Sequence, residues 1–276
     1  MNPVDKALWF IESHFAQDIC LDDIAAIAGV SRFQLVRAFD YATGTSVMRY
    51  VRGRRLTEAA RALAGGAPDI LAVALDAGYG SHEAFTRAFR DQFGTTPEAV
   101  RAGGTLATIE PIEAILMTET PTAKLEPPRF ENTPALLIAG FGDRFSHDTS
   151  GGIPGLWQRF NAEADHMPGK VSDVAYGVCF NTDDAGNFDY IAGVQVRDFS
   201  DVPKEFARVR IPPHRYAVFT HREHISTIRM TVTTVWSKWL PASGFQAADA
   251  PFFERYGPEF DGRTGLGGFE LWLAIK

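Results

Sequence analysis
Cysteine is scarce: Cys20 and Cys179 are the only two in 276 residues. That excludes a disulfide framework and a zinc site built on four cysteines. Long uncharged apolar runs are missing too, so no segment reads as a membrane span. The opening stretch, MNPVDKALWFIESHF, carries Asp5 and Glu12 and lacks the apolar core of a secretory leader. Positive charge does not dominate: 27 Lys and Arg stand against 34 Asp and Glu, a net charge of −7. A protein that coats polyanions indiscriminately is thereby excluded. There is no Gly-x-Ser-x-Gly elbow and no phosphate-cradling Gly loop. The expectation is a cytoplasmic protein that is not an enzyme and holds no cofactor or metal. What is present is ample core material, with 45% apolar and 22% charged residues. The length suits two domains, expected at 1–105 and 106–276.

The first hundred or so residues read as helices broken at Gly29, Gly44, Gly65-Gly66, Gly78 and Gly94. They contain a repeat. SRFQLVRAFDYATGT from Ser31 aligns with SHEAFTRAFRDQFGT from Ser81 at an offset of fifty, with six identical pairs, among them Arg37/Arg87 and Phe39/Phe89. Chance would give about one identity over this span at average composition. Each copy follows a short helix and a Gly turn, which makes two helix–turn–helix units. Apolar spacing buries Leu35, Phe39, Phe85 and Phe89. Arg32, Gln34, Val36 and Arg37 are then expected on the exposed face of one second helix, and His82, Glu83, Thr86 and Arg87 on the other.

Between the units, Ser46 to about Leu63 reads as one helix. At 1.5 Å per residue it spans roughly 27 Å, close to the spacing of about 34 Å between successive major grooves. Five arginines, including Arg49 and Arg54, stand on it against Glu58 alone. Such a rod suits phosphate contact, while the two second helices suit base edges. Double-stranded DNA is the expected partner.

The stretches ATGTSVMRYVRGRRLTEAARAL and AGYGSHEAFTRAFRDQFGTTPEAVR resemble the DNA-binding domain of the AraC/XylS transcription regulators, over about residues 5 to 103. The resemblance implies that the helices Arg32 to Tyr41 and His82 to Phe93 enter adjacent major grooves. It places Arg37 and Arg87 where the family often contacts bases or phosphates. RNA polymerase is a further candidate partner.

Beyond Thr105, Pro111, Pro121, Pro127 and Pro128 punctuate strand-like pieces, and the texture becomes α+β. Strand 134–141, helix 154–166 and strands 175–180 and 188–196 form one β-α-β-β set. Strand 215–220, helix 225–240 and strands 246–256 and 268–275 form another. The expected fold is therefore multidomain: an all-α double helix–turn–helix domain, then an α+β domain of two β-α-β-β repeats. Its sheet would carry helices on one face and a groove on the other.

IPGLWQRF, YGVCF, FDYIAGVQV, IPPHRYAVFTHREHIS, WLPASGF and FELWLAIK resemble the GyrI-like small-molecule-binding domain, over roughly residues 124 to 276. The combination is that of the right-origin-binding type of AraC regulator, and it implies a small-molecule effector. On the last strand, alternation puts Glu270, Trp272 and Ala274 on one face and Phe269, Leu271, Leu273 and Ile275 on the other. The wholly apolar face should meet the helices, so Glu270 and Trp272 are expected in the groove. A carboxylate among aromatics suits an amphipathic cation. Tyr176, Phe180 and Tyr190 are further candidates. Two rival readings are a hydrolase with Glu270 as general base and an architectural DNA binder that senses nothing. His221 and His224 lack a third metal ligand. The Asn181–Asn187 stretch reads as a hairpin turn.

Overall fold
The computed structural model describes residues 2–115, 122–146 and 148–276, without the side chain of Asp165. Helix α1 (Pro3–His14) starts where Asn2 accepts from the Asp5 amide and Pro3 occupies the first turn. Helices α2 (Leu21–Ala28) and α3 (Arg32–Thr43) form one helix–turn–helix. Helices α5 (Ile70–Asp76) and α6 (His82–Phe93) form the other. The turns fall at Gly29 and Gly78, with φ of 74° and 84°, where a Cβ would be strained. The Ser31 and Ser81 side chains cap α3 and α6 through the amides of Gln34 and Ala84.

Helix α4 (Val47–Ala64) belongs to two cores. Its first turns, through Val47, Tyr50 and Val51, close the core of α1, α2 and α3. Its later turns, through Leu56, Ala60 and Leu63, pack on Phe85, Phe89 and Val100 of α5, α6 and α7 (Pro97–Gly103). Each fully buried Phe contributes about 1.5–3 kcal/mol.

The remainder is an eight-stranded antiparallel sheet. Its strands are β1 (Arg129–Thr133), β2 (Leu136–Phe145), β3 (Lys170–Phe180), β4 (Phe188–Val196), β5 (Ala207–Ile211), β6 (His214–His221), β7 (Phe252–Tyr256) and β8 (Phe269–Ile275). The order β1-β6-β8-β7-β3-β4-β2-β5 is symmetric about the β7/β3 seam. The two expected repeats are therefore present side by side. Each also gains an opening strand, and the two are exchanged: β1 precedes β2 but pairs with β6, and β5 precedes β6 but pairs with β2. Only Pro134 and Ala135 separate β1 from β2, so one edge strand comes within about 11 Å of the strand beside the other edge. The sheet must roll up to allow this.

Rolling fills the face on which a groove was expected. Tyr176, Val178, Tyr216, Phe253, Trp272 and Ala274 form an apolar core of their own there. Phe253 stacks on Trp272 with centroids 5.3 Å apart. The outer face carries the helices. Helix α8 (Ile153–Glu163) covers β2 and β4, with Leu156 and Phe160 buried against Ala139, Ala192 and Val194. Helix α9 (Ile228–Thr234) continues through a π-turn, Val235–Trp239, and packs Val232, Val235 and Trp236 against Phe219 and Leu271 of β6 and β8.

The core of α1, α2 and α3 is continuous with that of α9. Phe33 meets Trp236 edge-on at 6.0 Å. Thr233 Oγ1 and Arg229 Nε donate to the Tyr41 carbonyl at 3.1 and 3.3 Å. Helix α3 is thus docked on the second domain.

Candidate functional site
Between α8 and α9, over the β7/β3 seam, lies a cavity of about 790 Å³. Its floor is Glu254 on β7. Alternation puts Phe252, Glu254 and Tyr256 on the helix side of β7, while Phe253 faces the rolled core. The Tyr190 and Tyr256 hydroxyls donate to Glu254 Oε2 at 2.7 and 2.9 Å. Trp157 Nε1 of α8 donates to the Tyr190 oxygen at 3.0 Å. Gly177 on β3 sits opposite Glu254 and makes this cluster possible. A Cβ there would fall 2.1 Å from the Tyr190 hydroxyl and 2.4 Å from Glu254 Oε2. Burial pushes the Glu254 carboxyl above its usual range, against the two tyrosine bonds that pull it down. Burial also drives both phenols well up, so they stay protonated donors. A third wall comes from α3, through Val36, Arg37, Asp40 and Tyr41.

The residues expected to face DNA divide between the two helix–turn–helix units. On α6, Glu83 and Arg87 are exposed, and His82 and Thr86 are half-buried. His82 Nε2 lies 3.0 Å from a Glu98 carboxylate oxygen. On α3, Gln34, Val36 and Arg37 were expected at the surface but are 5%, 5% and 4% exposed. The reason is the docking of α3 against α9 and β3, which a single helix's periodicity does not register. Arg32 is exposed yet pairs with Asp22 and with Asp184 of the β3–β4 hairpin. On the rod, Arg49 pairs with Asp148. Arg54 is buried, bonds Glu12 through Nε and Nη2, each at 3.0 Å, and donates to the Ile112 carbonyl. Its charge is consumed inside the domain.

A model of the GyrI-like small molecule binding domain matches residues 126–276, more than half of the chain. The chain belongs to this GyrI-like family. A helix-turn-helix domain model matches residues 24–103. Transcriptional regulator Rob of Salmonella typhimurium is 26% identical over 274 residues, 95% of this chain and 92% of that protein. Right origin-binding protein of Escherichia coli K12 is 42% identical over 97 residues, which are 35% of this chain and only 33% of that protein. Transcriptional regulator BrlR of Pseudomonas aeruginosa is 30% identical over 135 residues, 49% of each chain. The protein is a transcription regulator that joins a DNA-binding helix–turn–helix domain to a GyrI-like small-molecule-binding domain. No described helix is long and apolar enough to cross a membrane.

Within the GyrI-like domain, Tyr190 is the one expected ligand residue that lines the cavity. Tyr176 and Trp272 are buried in the rolled core, and Phe180 packs on its edge. Glu270 points to that same side. It pairs with Arg129 and Arg255 at 2.7 and 3.2 Å and accepts from Trp272 Nε1 at 3.0 Å. The alternation on β8 was right; the cavity lies on the opposite face of the sheet. Glu254 was missed, although FFERY carries the same signal: a carboxylate between two aromatics of one face.

Proposed function
We propose that residues 1–105 bind operator DNA and that residues 106–276 sense an amphipathic ligand whose cationic end meets Glu254. The observation that carries this is a part-buried carboxylate, bonded to two tyrosines, at the floor of a roomy cavity. Aromatic faces and a desolvated negative charge together favour a lipophilic cation. Among the expected DNA residues, the exposed Arg87 and Glu83 of α6 are the ones to read base edges, with His82 and Thr86 beside them half-buried. The protein acts in the cytoplasm, and RNA polymerase is its partner at the promoter. The relative that this chain covers to 92% of its length is named a transcriptional regulator, which favours sensing over hydrolysis.

Rhodamine B ethyl ester, a permanent lipophilic cation, tests the reading by isothermal titration calorimetry. Wild type should bind it, and Glu254→Gln, which keeps an acceptor for both tyrosines, should lose about tenfold or more. The pH dependence has a definite sign. The acid's folded pKa is raised, so unliganded stability falls as pH rises from the ordinary carboxylate value to the raised one. The cation selects the ionised form, so its affinity falls as pH drops through the raised value, and binding in that window releases a proton. Wild-type binding that is indifferent to both the mutation and pH would contradict the assignment. Arg87→Ala should weaken a duplex selected on the full chain; equal binding would remove α6 from the interface.

A further inference from the structure
We propose that Arg37, on the helix expected to read DNA, is a ligand-binding residue of the effector cavity: it takes an anionic oxygen of a zwitterionic ligand whose cationic end meets Glu254. This rests on the reading of the cavity given above. It follows that ligand and DNA draw on the same helix, α3, and oppose one another.

Arg37 is 4% exposed and lines the cavity. A guanidinium has five N–H donors in a rigid fork that matches a carboxylate. Here Nη1 meets only the Cys179 thiol, at 2.9 Å, a weak acceptor. The Nε and Nη2 groups are buried and have no hydrogen-bond partner among the described residues. The Tyr41 hydroxyl approaches the guanidinium closely enough to act on its charge and as a loose hydrogen-bond partner, without reaching full hydrogen-bond geometry at Nε or Nη2. Phe33 supports the guanidinium through its ring face, 5.5 Å away. Buried charged donors are ordinarily paired. These two lie unpaired in the wall of a space that admits a ligand. With Glu254 on the floor and Arg37 on the wall, a ligand meets groups of both signs, in a cavity that Asp40, Asp173 and Arg229 also line.

The position of Arg37 ties occupancy to DNA. An α3 inserted in a major groove cannot also form the cavity wall. It would have to give up the bonds from Arg229 and Thr233 to the carbonyls at its carboxy-terminal end. A ligand that bridges Glu254 and Arg37 holds α3 in place, and by linkage DNA must weaken the ligand by the factor by which the ligand weakens DNA.

Rhodamine B and its ethyl ester test this on the full chain by fluorescence anisotropy. The acid carries a carboxylate and a delocalised cation; the ester keeps only the cation. Wild type should bind the acid roughly tenfold tighter than the ester, the worth of one charge-assisted contact. Arg37→Met should erase that preference, and the ester, relieved of a like charge in the wall, should bind no more weakly than to wild type. Arg37→Lys, which keeps the charge, should retain part of it, and guards against a folding defect in the first variant. Saturating rhodamine B should weaken a duplex selected on the full chain, with the reciprocal effect of equal size. A preference that survives Arg37→Met while Glu254→Gln weakens both dyes would overturn this proposal alone. Absence of coupling between acid and duplex would overturn the shared helix. Failure of both dyes to bind wild type would overturn the cavity reading as well.

Discussion
Arg37 and Arg87 hold the same place in two copies of one motif, yet one is 4% exposed and the other lies at the surface. Local sequence made them equal; the neighbouring domain made them different. Gly177 is the opposite case, a residue whose meaning is wholly tertiary. It sits mid-strand, where Gly weakens a sheet, because Tyr190 and Glu254 occupy the space its side chain would take. Gly177→Ala should therefore displace the Tyr190–Glu254 pair. The expected loss is about 1–3 kcal/mol of stability from overpacking, and about tenfold or more in affinity for rhodamine B ethyl ester. Thermal unfolding and calorimetry check the two effects. Unchanged dye affinity would mean that the floor of the cavity is not the binding surface.

The individual elements show where sequence suffices. The two helix–turn–helix units were legible because their signals are local: Ser caps, Gly turns and the apolar pairs Leu35/Phe39 and Phe85/Phe89, four apart. The β8 pattern was legible too, since Phe269, Leu271, Leu273 and Ile275 do face the helices. Strands β1 and β5 were not legible. They are five residues each and pair with the other repeat, so no local pattern announces their partners. That exchange is what rolls the sheet, and the rolled sheet moves the cavity from Glu270 to Glu254. Helix α4 misled for a related reason. A row of arginines reads as phosphate contact until the partners are known, and Arg54 has its own in Glu12, which also accepts from Tyr50 at 2.6 Å. Arg54→Met leaves Glu12 without its main counter-charge in a part-buried site. The expected cost is about 3–5 kcal/mol, read by denaturant unfolding. The salt dependence of DNA affinity, measured below the unfolding transition, should not change. A shallower salt slope would restore Arg54 to the phosphate contacts.

At the scale of the whole molecule, the net charge of −7 is unevenly spread. Residues 1–105 hold 11 basic and 12 acidic side chains, the rest 16 and 22. Part of that surplus acid is set against the DNA-binding half: Asp184 holds Arg32 and Asp148 holds Arg49 across the domain boundary. Both pairs are exposed, so each is worth only about 0.2–1 kcal/mol, too little to lock the domains but enough to bias them. Asp148→Asn combined with Asp184→Asn frees Arg49 and leaves Arg32 with Asp22 alone, on the surface proposed to face DNA. Affinity for a selected duplex should rise about fivefold at low salt, for roughly 1 kcal/mol of released pairing. The more telling quantity is the slope of log K against log salt, which should steepen by about 1.8 for two further phosphate contacts. The control is Asp201→Asn with Glu205→Gln, which removes two exposed carboxylates elsewhere on the effector half. It should leave the slope unchanged, because lowering net charge adds no contact. If both double variants shift affinity equally at constant slope, the acidic residues act only through long-range repulsion, and the domain boundary plays no part in DNA binding.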